Sequence, residues 1–100
     1  MTTSHIPAGD GPRFRLGRLV ATPGALAALK QANSHPIALL VRHMRGDWGE
    51  LDDEDRMQNE VCLIAGMRLL SSYTLETNRT VWVITEADRS VTTILLPQEY

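Results

Sequence analysis

"MRLLSSYTLETNRTVWVITEADRSVTTILLP", residues 67–97, decides the fold, because here the chain changes its period. β-branched and aromatic residues crowd three runs, "MRLLSSYTLE", "TVWVITEA" and "SVTTILLP", separated by the polar signals "TNR" and "DR". Such side chains suit a pleated, half-buried surface, and short polar connections make neighbouring strands antiparallel. The expectation is a meander of three strands.

Upstream of the meander the pattern is helical. "DDEDRMQNEVCLIAG", 52–66, starts with Asp52 or Asp53 as cap, with further carboxylates where they meet the positive end of the helix dipole. Met57, Val61, Ile64 and Ala65 are expected to form its buried stripe, and Gly66 to end it. "PIALLVRHMR", 36–45, places Ile37, Leu40, Val41 and Met44 at core spacing, leaves Arg42 and His43 towards the edge, and stops at Gly46. "TPGALAALKQA" has Thr22 as N-cap and Pro23 at the first helical position, and should run to about Asn33.

"RFRLGRLVA", 13–21, alternates arginine with apolar residues and reads as a strand with one wet face; Gly17 marks a bulge or a close approach. Residues 1–12 hold two prolines and two glycines without apolar pattern, and read as a flexible tail. The fold class is therefore α+β, in the order β-α-α-α-β-β-β. A four-stranded, mainly antiparallel sheet carries about three helices on one face, and residues 13–100 form a single domain.

Bulk properties narrow the function classes. One hundred residues with 43% hydrophobic side chains suffice for one core, and a net charge of −2 excludes a generic polyanion binder or a whole-molecule DNA mimic. The single cysteine, Cys62, excludes an internal disulfide and multi-cysteine zinc motifs. No run approaches the length of a membrane span, and the N-terminus has no apolar signal segment. A cytoplasmic protein without a membrane partner is expected.

"RHMRGDWGELDDEDR", 42–56, holds half of the twelve acidic residues. EF-hand alternation fails there, and an Mg²⁺ or Mn²⁺ site from Asp47, Glu50 and Asp52 would need converging rather than adjacent oxygens. His5, His35 and His43 share no zinc spacing, no glycine-rich loop precedes a helix, and neither "SSY" nor "VCLIAG" forms a nucleophile elbow. No metal and no cofactor are expected.

Two constellations carry functional weight. His43, with Arg68 or Arg89 and with Thr92, has the groups of a metal-independent ribonuclease: imidazole for proton transfer, guanidinium for phosphorane charge. Trp48 between glycines, with Asp47, Arg45, Glu86 and Asp88, would instead offer a contact surface, or Trp48 would plug the edge of the core.

"LGRLVATPGALAAL", "RHMRGDWGELDDEDRMQNE", "SSY" and above all "WVITEADRSVTTILLPQEY" resemble a group of small plasmid-related proteins. These belong to bacterial plasmids and integrative elements and are sometimes labelled type I restriction subunit M. The resemblance runs from about Leu16 to Tyr100 and implies a mobile-element setting, with no assigned activity. The restriction label finds no support, for 100 residues leave no room for a methyltransferase domain. Helices before an antiparallel meander bearing His, Arg and Ser/Thr also look like barnase–EndoU–RelE ribonucleases.

Three readings follow. The first is a non-enzymatic accessory module binding a protein or nucleic acid; the second is the small ribonuclease. The third is a restriction antagonist whose acidic loop imitates DNA, disfavoured because its carboxylates bunch at a helix start. The exposed edge of the sheet would also allow a homodimer.

Overall fold

A computed structural model describes residues 11–100; the tail expected over 1–12 lies outside it, but for Gly11 and Pro12. The elements are β1 (Arg18–Ala21), α1 (Pro23–Gln31), α2 (Pro36–Met44), α3 (Asp53–Ala65), β2 (Leu69–Thr74), β3 (Thr80–Thr85) and β4 (Val91–Leu95), then a short 3-10 turn, Pro97–Glu99. The order β-α-α-α-β-β-β is the one the sequence predicts.

The local signals work as read. The Thr22 hydroxyl accepts from the Ala25 N–H at 3.1 Å, and the Asp52 carboxylate accepts from the Asp55 N–H at 2.8 Å, each satisfying a donor that a helix start leaves free. Gly66 takes the left-handed conformation that ends α3. Gly17 also has positive φ, and a Cβ on it would overlap the backbone of Ser90, so it is a close approach.

The sheet order is β1-β4-β3-β2. β2, β3 and β4 form the antiparallel meander, with Leu69 opposite Thr85 and Thr85 opposite Thr92. β1 joins alongside β4 and runs parallel to it, so the sheet is mixed. Three helices separate β1 from the meander, a connection long enough for either strand direction.

Leu69, Ser71, Tyr73, Val81, Val83, Thr85, Thr92 and Ile94 share one face of the sheet, and all are buried. α1 packs over β4 and α2 over β3, bringing Ala25, Ala28, Leu29, Leu39 and Leu40 onto that face. A second cluster of Trp48, Cys62 and Leu69, joined by Phe14, Leu51 and Leu63, includes the C-terminal part of α3.

α3 departs from expectation. It runs along the outer edge of β2, and the face it turns inward sets the polar Asn59 beside Cys62 and Leu63. The Asn59 amide donates to the Leu70 carbonyl at 2.6 Å and accepts from the Leu70 N–H at 3.2 Å, as a neighbouring strand would. Ser72 next along the edge pairs with the backbone of Trp48 and Glu50, and the Thr74 N–H is held by the Glu50 carboxylate. The edge is thereby closed to another strand. Asn59→Ala strands both Leu70 groups and should cost about 2 kcal/mol, read as a lower urea midpoint at unchanged slope. A loss under about 0.5 kcal/mol would mean that the amide does not hold this edge.

The inward turn of Asn59 and Cys62 reverses the expected stripe. Met57, Val61 and Ile64 point into solvent at 69%, 52% and 89% exposure, and Ala65 is exposed as well. α2 is likewise rotated relative to expectation: Leu39, Leu40 and His43 are buried, whereas Ile37 is 55% exposed.

Candidate functional site

His43, expected at the edge of α2, is wholly buried against the sheet, together with Ser71, Thr85 and Thr92. Its Nδ1 lies 2.6 Å from the Ser71 hydroxyl and its Nε2 2.9 Å from that of Thr85. Thr85 meets the Thr92 hydroxyl at 2.7 Å, and Thr92 donates to the Leu16 carbonyl at 2.7 Å.

Proton counting fixes the direction of this chain. A carbonyl only accepts and each hydroxyl has one proton. Thr92 gives its proton to Leu16, so Thr85 donates to Thr92 and must itself accept from His43. Nε2 therefore carries the imidazole proton, Nδ1 presents its lone pair, and Ser71 donates to it. Five groups from five segments are satisfied in one direction, which is how buried polar groups avoid a desolvation cost.

The histidine is neutral. Burial, aided by the nearby Arg89 charge, pushes its pKa down from 6.5 to about 3. Ser71 beside His43 has the pairing of a nucleophile and its base, yet neither side chain has any exposed surface. Both are walled in by the Phe14 ring, edge-on to His43 at 5.1 Å, and by the Trp48 ring at 5.8 Å.

Of the remaining ribonuclease candidates, Thr92 belongs to this buried chain and the Arg89 charge lies near it, whereas Arg68 stands apart. Arg68 bonds Glu86 at 3.2 Å and the Tyr100 hydroxyl at 2.6 Å; Tyr100 lies against Trp82, on the sheet face opposite His43. Arg89 sits in left-handed backbone and donates to the carbonyls of Met67 and Glu86, with its guanidinium over Phe14. His43 and Thr92 face each other only through Thr85. Catalysis on a substrate in solution needs an exposed base, and this arrangement has none.

The binding constellation is also dispersed. Trp48 is 4% exposed and plugs the core edge: its ring stacks on Phe14 at 6.1 Å, and its indole N–H donates to Glu60 at 2.9 Å. It is a plug, so the contact surface expected of it is absent. Glu60 also takes a two-pronged bond from Arg13, which holds its carboxyl below the usual range. Asp47 pairs with Arg42 at 2.7 Å, which lowers its pKa, and accepts from the Gly49 N–H. Arg45 is exposed at the end of α2, Glu86 holds Arg68, and Asp88 accepts from the Ser90 N–H in its own turn.

The acidic stretch, too, has a structural account, because Asp47 and Asp52 are tied to local backbone and Glu50 to the Thr74 N–H of β2. Among the described residues no three His, Cys, Asp or Glu side chains converge as a metal site, and no helix is long and apolar enough to cross a membrane.

The surface that stands out is one that hydrophobic spacing assigns to the core. Met57, Val61 and Ile64, at i, i+4 and i+7, line the side of α3 opposite Asn59, and Met67 extends them at 54% exposure. Asp53 and Glu54 stand exposed at the N-terminal end of this stripe, without an ion-pair partner among the described residues. Asn59, at the spacing of Cys62 and Leu63 and able to supply both a donor and an acceptor, is the signal that could have revealed the rotation.

Compared with family models, curated proteins and solved structures, the chain matches none.

Proposed function

We propose that this chain is a non-enzymatic protein-binding module whose contact surface is the outward face of α3. The observation that carries the reading is the rotation of that helix: Asn59, Cys62 and Leu63 are turned to the sheet and a row of large apolar side chains is left in water. Exposed apolar patches of this kind mark interaction sites. The carboxylates at its N-terminal end favour a partner helix whose apolar face is bordered by Lys or Arg, and they repel phosphate. A bacterial mobile element, the setting that the sequence resemblance implies, would employ such a module as an accessory factor.

The probes are an amphipathic leucine–lysine helix and total RNA. Saturable, salt-sensitive binding of the peptide, lost in Ile64→Glu, is expected, with no cleavage of the RNA with or without EDTA. The substitution itself should change stability by no more than about 0.5 kcal/mol, since that side chain is already in solvent. RNA cleavage, or peptide binding that survives Ile64→Glu, would overturn the reading.

A further inference from the structure

The two edges of the sheet are treated differently. β2 is sealed by Asn59, by the Trp48–Glu50 backbone and by the Glu50 side chain. β1 is not. The Arg18 N–H donates to Ser90 and the Thr22 N–H to Ile94, so the even-numbered residues turn their backbone groups inward to β4. By alternation Leu19 and Ala21 turn theirs outward, where no hydrogen bond reaches them among the described residues.

Edge strands are usually protected by charge, proline or a bulge. β1 carries one charge, Arg18 at its start, and beyond it offers Leu19 at 50% and Val20 at 40% exposure. Beside it runs an apolar groove of about 170 Å³, walled by Leu19, Ala21, Pro36, Ile37, Leu40 and Ile94.

We propose that a second copy of the chain occupies this edge, β1 against β1 in antiparallel pairing about a two-fold axis at Val20. The strand is complementary to itself in that register. Leu19 and Ala21, the two residues with outward backbone groups, face each other across the axis and exchange both N–H···O bonds, twice over. Each Leu19 side chain then lies over a small Ala21, at the mouth of the groove that Ile37 and Leu40 border. Val20 meets its own copy on the other face.

Charge permits the register. Arg18 comes to lie opposite Thr22, four residues from the other Arg18, a separation of roughly 13 Å that exceeds the screening length of physiological salt, ~8 Å. The product is a continuous eight-stranded sheet whose two outer edges are the sealed β2 strands. This pairing is independent of the α3 surface.

The test combines ultracentrifugation of the full chain with disulfide trapping in a Cys62→Ala background. A dimer is expected, and Leu19→Lys should raise its dissociation constant at least tenfold with an unchanged circular dichroism spectrum. Val20→Cys should form an interchain disulfide under mild oxidation, because directly opposed residues of a non-hydrogen-bonded pair lie within disulfide reach. Leu19→Cys, displaced diagonally from its copy, should not. A monomer at every concentration, trapping at position 19 but not 20, or a dimer that survives Leu19→Lys would each overturn the proposal. A dimer dissolved by Ile64→Glu alone would place the contact on α3.

Discussion

Trp48→Ala should cost about 3–5 kcal/mol, the usual range for truncating a large buried aromatic. The side chain is 4% exposed and fills the space between Phe14, His43, Cys62 and Leu69. Its indole also steadies Glu60, the carboxylate that anchors Arg13 and with it the segment carrying Phe14. Against a typical domain stability of about 5–15 kcal/mol, the loss is enough to populate unfolded chains. Trp48→Phe keeps one aromatic ring but loses the rest of the indole and its N–H bond, so a smaller loss of about 1–3 kcal/mol is expected. Urea titrations followed by circular dichroism separate the two variants. Equal and small effects would show that the ring is no plug.

The second large effect is on pH. His43 is neutral in the folded protein, with its pKa near 3, and ordinary in the unfolded chain, near 6.5. A folded-state histidine that resists protonation makes the unfolded state the better proton acceptor below pH 6.5. Stability is therefore full above about pH 6.5 and declines as pH falls towards 3. At about 1.4 kcal/mol per pKa unit, the 3.5-unit depression amounts to roughly 5 kcal/mol by the lower end. Asp47 and Glu60 are lowered from their ordinary values of 3.8 and 4.5, so they add their own losses only in the more acidic part of the window. The interval from pH 6.5 to 5 isolates the histidine and should show a fall of about 2 kcal/mol. His43→Gln, neutral at every pH, should be less stable at pH 7 but flat across that interval. A wild-type curve equally flat would mean that water reaches the imidazole.

Much of the fold is legible in the sequence because its signals are local. Thr22 before Pro23, Asp52 before a run of carboxylates and Gly66 after an apolar run each state a helix boundary in backbone chemistry alone. The three C-terminal strands announce themselves by composition, and the turn around Asp88 by its own hydrogen bond. What stays hidden is decided at long range. Apolar spacing on α3 points to Met57, Val61 and Ile64 as core, but the β2 edge needs a donor and an acceptor, and Asn59 supplies both at the cost of that stripe. His43 looks like a surface residue until Ser71 and Thr85, 28 and 42 positions away, are seen to close around it. The parallel direction of β1 likewise depends on partners at the far end of the chain.

That last pairing sets the order of assembly. β1 (residues 18–21) matches β4 (residues 91–94), and Thr92 reaches back across 76 positions to the Leu16 carbonyl. Contacts of such separation are slow to form, because the loop between them must close before it is rewarded. During synthesis from the N-terminus, the helices and the β2–β3 hairpin can take shape as they emerge, but β1 has no neighbour until β4 is made. A nascent chain halted before Val91 would therefore hold its first strand open, and the emergence of β4 is the step that closes that side of the sheet.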